Sequence, residues 1–157
     1  MTDRHPRWKT ASDNHDFPAA AQYLSLLADE VSVKSLVRAL HRASPEQYKA
    51  KDILRAAGLR ILPVDNPHVA SDLAKIRAGT ALSPILLVRG DLISGRPLQI
   101  ADGYHRICAS YHTDANADIP CRTVVAETAE ERRYSGGHRN VGGHRMDGDT
   151  SPTRANR

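Results

Sequence analysis

Five consecutive residues, Asp102-Gly103-Tyr104-His105-Arg106, combine groups that handle anions and protons. Arg106 offers a planar fork suited to phosphate oxygens, and His105 adds a hydrogen-bond donor or a titratable ring. The apolar run Leu98 to Ala101 reads as a strand, and a helix is expected to begin at Asp102-Gly103 and end near Tyr111 or His112. The motif therefore falls at a strand-to-helix junction. The first turn of a helix leaves backbone N–H groups unpaired and carries a partial positive charge, so it attracts anions. Gly103, lacking a Cβ, lets the backbone come close to a ligand. The same residues also suit a plain structural role, with Asp102 as N-cap, Gly103 as turn residue, and His105 and Arg106 on an exposed helix face.

A second cluster lies on the helix expected after Pro67. His68, Ser71 and Lys75 stand at i, i+3 and i+7 and share a face, whereas Val69, Leu73 and Ile76 occupy another. Such a row could face a nucleotide; a solvated helix surface has the same composition. Cys108 and Cys121 have neither metal nor redox spacing and read as small buried apolar residues. Tyr111 and His112 fit packing and the C-terminal helix dipole.

The elements that must position these residues begin with three expected helices. One starts at Pro18 with Ala20, Leu24, Leu27 and Val31, and a second carries Val33, Leu36, Val37 and Leu40. The third is signalled by Ser44-Pro45-Glu46-Gln47, a capping box with Pro at the first position, and stops at Gly58. Leu59 to Val64 reads as a short strand. Asp65-Asn66-Pro67 starts a helix that runs to Ala78-Gly79. Ile85 to Arg89 is a strand, Gly90 to Gly95 a hairpin connection and Leu98 to Ala101 its return. Ile119 to Val125 forms the last strand, followed by a helical end at Thr128 to Arg133. The expected class is α/β (α+β): a small mixed-sheet domain over 59–133, with a helical extension over 16–58 packed on it. Residues 1–15 and 134–157 are polar and expected to be disordered.

Composition narrows the class. With 157 residues, of which 40% are apolar and 4% aromatic, the chain suits one domain with an aliphatic core. The longest apolar block lies around Pro84 to Val88, far short of the roughly 20 residues that cross a bilayer. The first residues hold no apolar core of the secretory type. A cytoplasmic protein with free thiols, with no membrane association, is the simplest expectation. Six of the 22 basic and two of the 18 acidic residues lie in 132–157, leaving 16 of each sign before them. The net charge of +4 thus belongs to the tail. This tail repeats Gly136-Gly137-His138-Arg139 as Gly142-Gly143-His144-Arg145 and could contact nucleic acid or capture a metal weakly.

From about Leu59 to Ala126 the order of elements resembles the ParB/sulfiredoxin-like superfamily, which includes the ParB-like nuclease domain. The likeness is carried by the Pro-led helix, Ser83-Pro84-Ile85-Leu86-Leu87-Val88, the hairpin, Asp102-Gly103-Tyr104-His105-Arg106, and Ile119-Pro120-Cys121-Arg122. Members of that superfamily hold nucleotide phosphates at the glycine-led turn. They include CTP-hydrolysing partition proteins, ATP-using sulfiredoxins, a free-serine kinase and nucleases. The resemblance implies phosphate contacts from Gly103, His105 and Arg106, with His68, Ser71 and Lys75 facing the nucleotide. Two departures limit the transfer. Tyr104 stands where sulfiredoxins need a reactive cysteine, and Cys108 lies about a helical turn away. The Gly-Glu-Arg-Arg type of motif of the partition proteins, and a helix-turn-helix pattern after it, do not occur in this chain.

The first functional expectation is a nucleotide-dependent hydrolase or phosphotransferase, with ATP or another nucleoside triphosphate and Mg²⁺ as cofactors. Asp102, His105 and Arg106 are its catalytic candidates. Asp102 would bind Mg²⁺ or act as base, and Asp65 and Asp72 are candidates for a second carboxylate. The alternatives are a ParB-like DNA-binding protein or nuclease using the basic tail, and a nucleotide-binding module without turnover.

Overall fold

The computed structural model describes residues 5–128 together with 131, 133 and 134. They divide into two units, 1–126 and 127–157, each considered by itself. The first unit is a small α+β domain. Among the described residues the order is α1 (Asp16–Leu24), α2 (Glu30–Arg42), β1 (Glu46–Lys49), α3 (Ala50–Ala57), α4 (Pro67–Ala78), β2 (Ile85–Val88), β3 (Gln99–Asp102), α5 (Tyr104–Thr113) and β4 (Asp118–Val124).

The four strands make one mixed sheet in the order β1-β4-β2-β3. β2 lies parallel to β4, with Leu87 beside Thr123, and antiparallel to β3. β2 is buried at all four positions, as a strand covered on both faces must be. Its odd and even residues serve different layers. Ile85 and Leu87 pack with Ile53, Leu73 and Ile107 of α3, α4 and α5. Leu86 and Val88 pack with Phe17, Leu24, Leu36 and Leu40 of α1 and α2. Each such buried side chain stabilises the fold by about 1.5–3 kcal/mol.

Several sequence expectations fail for identifiable reasons. Residues 46–49 pair with β4 (Glu46 opposite Cys121, Lys49 opposite Asp118) instead of opening a helix. The capping signal is overridden because an available strand edge satisfies the same backbone groups, and the helix starts only at Ala50. The first two helices are divided elsewhere than expected. α1 ends at Leu24, and Asp29 caps α2 by accepting a bond from Ser32 N, so Leu27 and Val31 are exposed. Residues 59–64 form no strand. Two side chains hold that loop: the Tyr104 hydroxyl donates to Arg60 O, and His112 Nε2 lies 2.7 Å from Leu62 O.

The expectation of disorder is overturned for residues 5–15. Trp8 bridges Leu82, Lys9 N donates to Leu82 O at 2.8 Å, and Arg122 Nε donates to Ser12 Oγ at 3.0 Å. The helices that do match carry local signals. Asn66 caps α4, and Gly58 and Gly79 end α3 and α4 in the left-handed region. In the second unit Thr128 N donates to Glu131 Oε2 at 2.7 Å and Glu131 N to Thr128 Oγ1 at 3.2 Å, a capping box at the expected helical end. The residues after 134, including the Gly-Gly-His-Arg repeat and the expected nucleic-acid arm, lie outside the described residues.

Candidate functional site

Arg106 is the centre of the site, and its fork is already occupied. One terminal nitrogen donates to Ser83 O at 2.7 Å, to Asp16 Oδ2 at 3.3 Å and to Pro84 O at 3.4 Å. The other donates to Asp102 Oδ2 at 2.6 Å. Asp16 Oδ2 also accepts the Ser83 hydroxyl, whose oxygen in turn accepts Asp13 N at 3.0 Å. The side chain of Arg106 is only 12% exposed and that of Asp16 only 4%. The guanidinium thus fastens α5 to the start of α1, to the start of β2 and to the end of β3. Opposite charges buried together need each other, because either alone would be left desolvated and unpaired.

Gly103 makes this packing possible. Its φ is +111°, and a Cβ there would lie 2.4 Å from Ile85 Cδ1 and 3.1 Å from an Arg106 terminal nitrogen. The glycine is therefore needed for close packing against β2, whatever a ligand asks of it. No side chain caps α5 at this end.

Beside Arg106 opens a polar cleft of about 300 Å³ bordered by Lys9, Asp13, His15, Asp72, Lys75 and Asp102. One guanidinium here serves two carboxylates. Burial and the neighbouring charge of Asp16 push Asp102 up to about 6, against the opposing pull of Arg106. Lys9 lies 2.7 Å from Asp13 and holds that carboxyl below its usual range through the hydrogen bond. Lys75 donates to the buried Asp72 at 3.1 Å.

The histidines lie at the adjoining ends of two packed helices. His68 and His105 are each the second residue of their helices, α4 and α5, and their rings stand 4.7 Å apart. Burial lowers the pKa of His105, and His68 lowers it further, while Asp72 works against both. His105 is thereby biased toward the neutral ring.

The residues singled out in the sequence are thus partly assembled. Asp102, Arg106, Lys75 and Asp72 border the cleft, and His68 with His105 form a separate pair. Ser71 and Asp65 are exposed and do not border the cleft. Cys108 and Cys121 are fully buried, as expected of small apolar residues, and burial pushes Cys121 up to about 12.

Sequence reasoning missed Lys9, Asp13, His15 and Asp16, which lie in a stretch without apolar period. The only local sign was the close spacing of Asp13, His15 and Asp16. Their donor atoms all lie within 4.8 Å of one another. Carboxylates and an imidazole are ligand types that suit a divalent cation. Asp102 and Asp16 both face the Arg106 guanidinium, and Asp13 pairs with Lys9, so each carboxylate here already has a cation beside it.

Compared with known proteins, the chain matches no family model, no curated protein and no solved structure.

Proposed function

We propose that the cleft beside Arg106 binds the phosphate groups of a nucleotide and that the protein hydrolyses or transfers a phosphoryl group there. The observation that carries this reading is the meeting in one cleft of Lys9, Lys75 and Arg106 with the carboxyl group of Asp102, which burial pushes up to about 6. Cations neutralise phosphate, and a carboxylate with a raised pKa is a better general base than an ordinary one. The likeness of Asp102-Gly103-Tyr104-His105-Arg106 to the ParB/sulfiredoxin-like superfamily supports the same ligand class.

The roles differ from those the motif implies. Arg106 orients Asp16 and Asp102 and would lend its charge to the cleft without turning its fork toward a phosphate. Lys75 would neutralise phosphate oxygens, with Lys9 across the cleft. His105, held toward its neutral form, stays paired with His68 and takes no phosphate in this reading. Asp102 would take the proton from an attacking hydroxyl or water. Asp13, His15 and Asp16 would hold a divalent cation, which when bound supplies further charge neutralisation for phosphoryl oxygens.

A thermal-shift panel of ATP, ADP, CTP, GTP and inorganic phosphate, with and without Mg²⁺ or Mn²⁺, tests the reading. Phosphate release measured in parallel separates turnover from binding alone. Lys75→Ala and Asp102→Asn are better probes than Arg106→Ala, which would disturb the fold itself. A nucleotide-dependent shift reduced by Lys75→Ala, with phosphate release lost in Asp102→Asn, is expected. No shift from any nucleotide at millimolar concentration would sink the proposal.

A further inference from the structure

The hairpin between β2 and β3 holds two apolar side chains out in water on a turn closed by its own hydrogen bonds. Asp91 N donates to Arg96 O at 2.9 Å, Ile93 N to Asp91 Oδ1 at 3.1 Å, and Arg96 Nε to Ser94 Oγ at 3.2 Å. At the base, a Cβ on Gly90 would lie 2.5 Å from Arg96 O, so the two arms are closely apposed. Leu92 and Ile93 at the tip are 99% and 98% exposed. They add nothing to the core of this chain, and polar residues would close the same turn.

Beside the tip lies a hollow of about 270 Å³ between α1, α2 and the base of the hairpin. Leu24, Leu27, Leu36 and Val88 line it, together with Arg89 and Arg96. Leu26 and Leu27, in the turn after α1, and Val125, just after β4, are exposed at the same end. With the tip they leave on the order of 600 Å² of mainly apolar surface in water, the upper end of what a monomer exposes. A standard interface takes about 800 Å² from each partner, so this patch supplies most of one.

We propose that this end of the domain is the interface of a two-fold dimer, in which the Leu92-Ile93 tip of each copy enters the hollow of the other. A two-fold contact uses one patch twice, so a projection and the recess it fills must lie side by side on the same surface. Here they do, because Arg96 and Pro97 on the returning arm of the hairpin border the hollow. An apolar cavity of roughly 150 Å³ holds benzene, so about 270 Å³ has room for both tip side chains. Charge agrees with shape: the tip carries Asp91 and the recess two arginines. An anionic bilayer fits less well, since Asp91 and the Asp29-Glu30 start of α2 lie at this end. The turn is already ordered, so docking it costs little conformational entropy. The dimer is independent of the phosphate reading, whose cleft adjoins Ser83 at the other end of β2.

Sedimentation velocity of the full chain from about 1 to about 200 μM tests this, and a reversible shift from monomer to dimer mass is expected. Leu92→Ser combined with Ile93→Ser should raise the dimer dissociation constant at least about tenfold. The circular dichroism spectrum should not change, because both side chains are in water in the single chain. Leu27→Glu, on the recess side, should weaken the dimer by a similar factor. Mixing Leu27→Cys with Ile93→Cys in a glutathione redox buffer should give the mixed disulfide, the native Cys108 and Cys121 being buried. A parent chain that stays monomeric throughout overturns the proposal, and pelleting of that monomer with phosphatidylserine vesicles would assign the patch to a bilayer. A dimer that survives the paired Leu92 and Ile93 substitutions overturns it as well. So does crosslinking of Ile93→Cys to itself in preference to the mixed disulfide, which would set tip against tip.

Discussion

The two ends of β2 treat buried polar groups in opposite ways. At its start, Ser83, Asp16, Asp102 and Arg106 satisfy one another in a crowded network, and the guanidinium is shared among two carboxylates and two carbonyls. At its far end the Thr123 hydroxyl is buried without a hydrogen-bond partner among the described residues. The contrast teaches that the most conspicuous sequence motif is first of all a structural clasp. The unpaired hydroxyl lies instead in β4, at a position the sequence does not single out. A phosphate site can exist beside the clasp, but not by borrowing the fork that closes it.

The largest expected effect follows from breaking that clasp. Arg106→Ala leaves Asp16 and Asp102 buried without their cation and should cost about 3–5 kcal/mol, read from the urea unfolding midpoint. A loss below 1 kcal/mol would mean that the network is ornamental and would free Arg106 for a ligand role.

Next in size is Gly103→Ala. Its Cβ meets Ile85 Cδ1 at a positive φ, so a loss of about 1–3 kcal/mol is expected. Pairing it with Ile85→Val, which removes that Cδ1, should make the double variant more stable than the two losses added together. Strict additivity would assign the whole cost to backbone strain.

A pH series sharpens the comparison further. The folded-state pKa of Asp102, about 6, lies above its unfolded value of 3.8, so the folded chain holds this proton more tightly. Its contribution is fully present below pH 3.8 and is lost as pH rises through about 6. The stability of the parent relative to Asp102→Asn should therefore fall between those limits and level off above. A flat difference between urea midpoints at pH 4, 5, 6 and 7.5 would show that Arg106 keeps Asp102 ionised throughout. The smallest effect belongs to the other end of the strand: Thr123→Val should be neutral or stabilising by up to about 1 kcal/mol. A clear destabilisation would mean that the hydroxyl has a partner after all, such as an ordered water.

Much of the fold was legible because its signals are local. Asn66-Pro67 and Gly79 bracket α4, Gly58 ends α3, and the apolar run from Ile85 announces a strand. The strand-to-helix junction at Asp102-Gly103 was equally readable from the apolar run before it. The site was legible only in part. Asp102, His105, Arg106 and Lys75 stood out by residue type, yet nothing near them in sequence discloses what each one faces.

Those answers come from residues far away along the chain. Arg106 reaches Asp16, 90 positions earlier, and residues 46–49 become a strand because β4, some 70 positions later, offers an edge. Residues 7–12 carry no apolar period, but their backbone and side-chain bonds to Leu82 and Arg122 hold them against the sheet. Periodicity, caps and turn residues act within a few positions, so the amino-acid sequence by itself determined where most helices and strands lie and which residues could do chemistry. Ion-pair partners, strand neighbours and the burial that shifts a pKa depend on elements distant in sequence. Only the tertiary structure could decide that the arginine of the motif is a clasp, and that the cleft beside it is completed by the first turn of α1 and the segment before it.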